Sequence, residues 1–122
     1  MSKGKILITG GAGFIGSALC EKLSLNGAGV TVFDNLSSGK KENLANIANA
    51  HLVVGDVLDE TTLEKVLRDS AISLVFHFAA EPDVRRGESN PQEIWRQNVE
   101  GTKTVLRACE RAGGVETVVF AS

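Results

Sequence analysis

The stretch Ile6-Leu7-Ile8-Thr9-Gly10-Gly11-Ala12-Gly13-Phe14-Ile15-Gly16 decides the fold. Its opening aliphatic run reads as a short strand and its glycine cluster as a turn. From Phe14 to Leu25 the apolar residues Phe14, Ile15, Ala18, Leu19, Leu23 and Leu25 form a helical stripe. A strand that passes through glycines straight into a helix is a place to hold a phosphate. The first N–H groups of a helix lack carbonyl partners and sit at the positive end of its dipole. The glycines meet three needs: a tight turn, close approach of a pyrophosphate to the backbone, and close packing of helix on strand. Gly11, Gly13 and Gly16 fit G-x-G-x-x-G, whereas Gly10, Gly13 and Gly16 equally fit G-x-x-G-x-x-G, with one more residue in the turn. The physics is the same for both, and the strand-to-helix context gives the glycines their meaning.

Outward from this stretch, strand-like and helix-like segments alternate. Asn26-Gly27 carries the turn chemistry that ends the first helix. Val30-Thr31-Val32-Phe33, β-branched and aromatic, is a second strand. Asp34 to Gly39 reads as a polar loop and Lys41 to Ala48 as a short helix. Leu52-Val53-Val54 is a third strand. Asp59 or Thr61 caps a helix to about Leu67, with Leu63, Val66 and Leu67 inward. Leu74-Val75-Phe76 is the fourth strand, and Glu81 to Asn90 is a polar loop. Pro91 opens a long helix to about Ala112, with Ile94, Trp95, Val99, Val105 and Leu106 in its stripe. Gly113-Gly114 stops it before a fifth strand, Val118-Val119-Phe120. Strands that are continuous apolar runs are buried on both faces, which requires a parallel sheet covered by helices on both sides. Right-handed crossovers in a doubly wound arrangement then predict a three-layer α/β Rossmann fold of about five strands in the order 3-2-1-4-5.

The strand ends carry the chemistry. Asp34 closes the second strand, where a carboxylate accepts hydrogen bonds from the adenosine ribose hydroxyls and repels a 2′-phosphate. No arginine lies between Asp34 and Ala50, although Lys40 and Lys41 do, so the expected cofactor is NAD rather than NADP. At the end of the third strand, in Gly55-Asp56-Val57, the acidic side chain is placed to meet the adenine amino group and the valine to flank the ring. By spacing alone Asp56 serves equally as a turn residue. In His77-Phe78-Ala79-Ala80 the small residues let the backbone lie along the cofactor. His77 itself reads as a packed or hydrogen-bonded strand-end residue rather than a catalytic one, and Trp95 as helix packing or an interface.

Composition sets the frame. The 122 residues amount to one domain, 43% hydrophobic and 23% charged, with a net charge of −2. That balance suggests neither a nucleic-acid nor a membrane partner. Cys20 and Cys109, far apart in sequence, form no metal or redox motif and read as buried free thiols. No apolar run approaches the roughly 20 residues of a membrane span. Met1-Ser2-Lys3-Gly4-Lys5 leads straight into a strand and leaves no room for a signal peptide, so the expected compartment is the cytoplasm.

Taken in order, the segments Thr9 to Ser17, Asp34 to Gly39, Gly55-Asp56-Val57, His77 to Ala80, Asn98-Val99-Glu100-Gly101-Thr102 and Val118 to Ser122 resemble the extended short-chain dehydrogenase/reductases. Within that group the chain is most similar to the NAD-dependent nucleotide-sugar epimerase/dehydratase family. The loop Glu81-Pro82-Asp83-Val84-Arg85-Arg86-Gly87 is most similar to its prokaryotic, especially archaeal, UDP-glucose 4-epimerase branch. The resemblance implies NAD-binding positions at Gly10, Gly13, Phe14, Ile15, Asp34, Asn35, Ser37, Gly39, Asp56, Val57, Phe78, Ala79, Ala80 and Asn98. The family's chemistry takes a proton from a sugar hydroxyl with a Tyr, whose pKa a Lys lowers, while a Ser or Thr bonds the reacting oxygen and hydride passes to NAD and back. Carried over, the Ser/Thr falls just after Ser122 and the Tyr and Lys later still, and the chain contains no tyrosine. Pro82 stands where some epimerases place a lysine. The expectation is therefore a truncated NAD-binding domain over 1–122, inert on sugar by itself and prone to self-association. A 4,6-dehydratase or decarboxylase fragment and a non-catalytic dinucleotide-binding module remain open alternatives.

Overall fold

In the computed structural model, which describes residues 5–37, 39–79 and 91–120, five strands make one sheet. They are β1 (Lys5–Thr9), β2 (Val30–Asp34), β3 (Ala50–Val54), β4 (Ile72–His77) and β5 (Thr117–Phe120). Their spatial order is β3-β2-β1-β4-β5 with every pair parallel, as the doubly wound reading expects. Thr9 at the end of β1 is in register with Phe33 on one side and His77 on the other. The C-terminal ends of the three central strands therefore lie level. The glycine turn, Asp34 and Phe78 emerge side by side from that rim.

Alternation along β1 divides the core in two. Leu7 faces Phe33, Leu63, Leu67, Val75, Val105 and Ala108 on the side covered by α2 (Glu60–Asp69) and by the second part of the long helix. Ile6 and Ile8 face Val30, Val32, Cys20 and Leu44 on the side covered by α1 (Phe14–Leu25) and a single 3₁₀ turn, Lys41–Leu44. The two cysteines are free, buried and on opposite sides of the sheet. Burial raises both thiol pKa values, that of Cys109 to about 11, which leaves them protonated and unreactive at neutral pH.

Four local expectations are corrected. In α1 the fully buried residues are Gly16, Cys20 and Ser24; of the apolar stripe Leu19 and Leu23 pack partly buried against the core, whereas Phe14, Ile15, Ala18 and Leu25 are exposed. The cause is proximity: a Cβ on Gly16 would stand 2.4 Å from the Gly10 carbonyl oxygen, so small residues face the sheet. The long helix runs unbroken from Pro91 to Ala112, as expected, but is not α-helical throughout. It runs as α3 (Pro91–Trp95), a π-helical turn (Arg96–Glu100) and α4 (Gly101–Ala112). The Thr102 and Thr104 hydroxyls bond the carbonyls of Asn98 and Glu100, a back-bonding pattern that bends helices. Trp95 and Leu106 fall outside its buried stripe and are exposed. The helix expected over Lys41 to Ala48 shrinks to the 3₁₀ turn. The strands extend one or two residues beyond their apolar runs, because ladder pairing continues past the apolar side chains. The loop Glu81 to Asn90 and Ala80 lie outside the described residues.

Candidate dinucleotide site

The turn between β1 and α1 is shaped by what its glycines must avoid. Gly10 has a left-handed φ of 74°, and a Cβ there would lie 2.8 Å from the backbone of Phe78 and Ala79. Gly11 would collide with Val32 at 2.7 Å, and Gly16 with the turn itself. Gly13 differs. Its φ of −77° suits any residue, and a Cβ would meet a single protein atom, the Gly10 oxygen at 3.3 Å. It is the N-cap of α1, with no side-chain cap on the helix and no acidic residue in the first turn. The next two side chains, Phe14 and Ile15, are 89% and 71% exposed. An uncapped helix start flanked by bare apolar side chains and lacking its own anion is suited to a phosphate-bearing ligand with apolar parts.

The Ala12 peptide is the anchor of the turn. Its N–H donates to Asp34 Oδ2 at 3.0 Å. Its carbonyl accepts from the Lys40 N–H at 3.0 Å and from Asn43 Nδ2 at 2.8 Å. Asp34 is only 7% exposed, and its Oδ1 accepts the N–H of Leu36 at 2.7 Å. Both carboxylate oxygens thus organise the loop and each keeps lone pairs for a further donor. Gly39 is packed against this carboxylate: a Cβ there would stand 2.8 Å from Oδ2. Asn35 is exposed and its side chain accepts the Ser37 N–H at 3.0 Å, forming the turn that follows. Leu36, with a φ of 61°, sits in the left-handed region, a conformation that side chains adopt at a cost and that concentrates at ligand sites.

On the far side of β1 the end of β4 is held by a buried chain of hydrogen bonds. The Thr102 hydroxyl donates to the Asn98 carbonyl at 2.8 Å, so its oxygen receives the Nε2–H of His77 at 3.2 Å. His77 Nδ1 is then unprotonated and accepts the Thr9 hydroxyl at 2.6 Å. The Thr9 oxygen in turn accepts the N–H groups of Phe78 and Ala79, each at 3.1 Å. His77 is 6% exposed, and burial lowers its pKa to about 4, leaving it neutral near pH 7. The ring is a hydrogen-bonded strand-end residue rather than a general base.

The expected site residues fall on one rim. Gly10, Gly13, Phe14, Ile15, Asp34, Asn35, Ser37, Gly39, Phe78 and Ala79 cluster around the C-terminal ends of β1, β2 and β4. Asp56 follows β3 and accepts the Leu58 N–H at 2.9 Å, which is the turn role its spacing also allowed. Val57 is buried in the core beside Gly101. Asn98 lies in the π-helical turn. Ala80 is outside the described residues. Sequence reasoning missed Asn43, Thr9 and Thr102. Asn43 carries no motif, and the two threonines read as ordinary strand and helix residues until the fold brings them to Ala12 and His77.

A parallel sheet in this order, with a glycine turn at the point where the chain reverses direction across the sheet, defines a Rossmann-type nucleotide-binding protein. Comparison with known proteins narrows that class. The profile of the NAD dependent epimerase/dehydratase family matches residues 6–122, and the chain belongs to that family. It is 42% identical over 118 residues to a UDP-glucose 4-epimerase of Corynebacterium glutamicum, covering 97% of this chain and 34% of the relative. The chain thus spans about a third of the length of that relative. A UDP-glucose 4-epimerase from Stenotrophomonas maltophila, solved with bound NAD and formylated UDP-arabinopyranose, superposes with a TM-score of 0.93 at 31% identity, over 98% of this chain and 37% of that one. The Thermotoga maritima UDP-glucose 4-epimerase, solved with UDP-glucose, gives 0.89 at 40% identity over 97% and 37%.

Proposed function

We propose that residues 1–122 are the NAD-binding domain of a nucleotide-sugar 4-epimerase of the UDP-glucose/UDP-galactose type. The observation that carries this reading is Gly13: its backbone angles suit any residue, and a Cβ would press on one protein atom, the Gly10 oxygen at 3.3 Å, far less than at Gly10, Gly11 or Gly16, so ligand approach supplies a further reason for a glycine there. The N–H groups at Gly13, Phe14 and Ile15 take the pyrophosphate. Asp34 takes the ribose hydroxyls, with Asn35, Ser37 and Gly39 shaping the loop beside it. Asp56 serves the adenine end, and Val57, whose side chain is packed in the core against Gly101, contributes there only through its position in the chain after Asp56. Phe78, Ala79 and Ala80 line the nicotinamide end, and Asn98 backs it from the π-helical turn. When bound, NAD supplies a hydride acceptor that returns the hydride to the opposite sugar face. The sugar pocket and the Tyr and Lys of the reaction lie outside these residues, which hold no tyrosine. The 122-residue chain alone therefore gives no interconversion of UDP-glucose and UDP-galactose.

Calorimetric titration tests the reading. NAD binds more tightly than NADP, because Asp34 occupies the place of a 2′-phosphate. Gly13→Val keeps the fold and loses several kcal/mol of NAD affinity. Equal or tighter NADP binding, or unchanged NAD affinity in folded Gly13→Val, overturns it. In the same reading the chain self-associates through exposed apolar side chains, Trp95, Leu106, Val119 and Phe120. A monomeric mass by light scattering at every concentration up to millimolar overturns that part. No helix of the described residues is long and apolar enough to cross a membrane.

A further inference from the structure

His77 touches none of the loop that would hold the pyrophosphate, yet its hydrogen bonds end on the backbone that walls that loop. One ring nitrogen reaches Thr102, two residues beyond the π-helical turn, and the other reaches Thr9 at the end of β1. Thr9 passes the constraint to the Phe78 and Ala79 amides, and their backbone stands 2.8 Å from where a Cβ on Gly10 would be. Phe120 closes the ring's remaining side in an edge-on contact, centroids 5.8 Å apart. One direction of donation satisfies every polar atom of this chain. Because the Thr102 proton is committed to the Asn98 carbonyl, its oxygen accepts; because Thr9 accepts two amides, its proton goes to the ring. A buried network satisfied in only one arrangement fixes geometry as well as contributing energy.

We propose that His77 is a positioning residue of the dinucleotide cradle. Its neutral Nε2–H imidazole, strung between Thr102 and Thr9, sets the Phe78-Ala79 backbone against Gly10, and so ties the π-helical turn to the glycine loop. The cradle part of this inference rests on the NAD reading; the hydrogen-bond relay does not.

Two measurements on the 122-residue chain separate them. Long-range ¹⁵N–¹H NMR, with exposed His51 as internal reference, reports the His77 tautomer directly. The relay requires protonated Nε2 and bare Nδ1; a protonated Nδ1 overturns it, whatever any variant does. Thr102→Val removes the acceptor at nearly constant shape and Thr102→Ser restores it. Losing one buried hydrogen bond speeds amide exchange at Phe78 and Ala79 by about fivefold to tenfold in the valine variant, and the serine variant returns it to the native rate. Unchanged exchange in Thr102→Val overturns the relay. NAD affinity falls by a similar factor in Thr102→Val and recovers in Thr102→Ser. Intact affinity alongside faster exchange overturns the link to the cradle. A native chain that binds no NAD overturns the preceding reading and, with it, the cradle link; the NMR arm still decides the relay.

Discussion

On one face of the sheet α1 turns Gly16, Cys20 and Ser24 inward and leaves Phe14, Ile15 and Leu25 in solvent. On the other, α2 and α4 bury Leu63, Leu67, Val105, Ala108 and Cys109. Their outer sides are joined by Glu60, which pairs with Arg107 at 2.7 Å and Arg111 at 3.1 Å. The helices of the second face follow the usual rule, apolar inside and charged outside. Asp59 caps α2 by accepting from the Thr62 N–H and hydroxyl, bonds that also hold the Asp59 carboxyl below its ordinary pKa. The first face breaks the rule. There a small inner surface brings the helix start within contact of the strand end, and the N-cap is a glycine with no side-chain acceptor. The difference shows which face is built for packing and which for presenting backbone groups.

The largest effect should come from forcing the first face to obey the rule of the second. Gly16→Val places branched carbon where the Gly10 oxygen already stands, and the collision is with backbone that has no rotamer to yield. Overpacking of this kind costs about 3 kcal/mol or more. Urea denaturation measures it, and a loss under about 1 kcal/mol would mean that α1 stands off the strand more easily than the contacts allow.

Acid probes the second face through His77. Its folded pKa, about 4, lies below the ordinary value of 6.5, so the unfolded chain binds a proton that the folded chain refuses. Stability from this group is complete above about pH 6.5, declines as pH falls, and is lost by about pH 4. The loss is about 3 kcal/mol in all. Chemical denaturation at pH 7, 5.5 and 4.5 should follow that course, and His77→Gln should flatten it. An equally steep course in the variant assigns the acid sensitivity elsewhere.

The smallest effect is expected at the ion pairs that distinguish the second face most visibly. Glu60→Gln removes the one carboxylate that pairs with both Arg107 and Arg111, but the two arginines are half or more exposed. Such pairs are worth about 0–1 kcal/mol and weaken with salt. A thermal melt in low and high salt checks this. A large, salt-insensitive loss would make the pairing of α2 with α4 electrostatic rather than apolar.

How much of this was readable in advance depends on the range of the interaction. Strand and helix order, the glycine turn, the Asp59 cap and the stop at Gly113 all rest on neighbours a few residues apart, and the sequence displayed them. The α1 stripe misled because its apolar residues do recur at helical spacing. Only the approach of the Gly10 oxygen, a contact set by β1, decides which side faces in. The π-helical turn inside the long helix had no local signal either, since Thr102 and Thr104 look like ordinary helix-surface residues.

By itself, the sequence determined the alternation of β and α, the parallel sheet that buried apolar runs require, and the glycine turn with its acidic partner at Asp34. Each follows from local sterics, periodicity and backbone chemistry. Only the tertiary structure decided which glycines packing requires, and that Asn43 and Asp34 clamp the Ala12 backbone. It alone revealed that His77 joins residues 9 and 102 of the chain. Those depend on distances between segments far apart in sequence, where a few tenths of an ångström separate a hydrogen bond or open space from a collision.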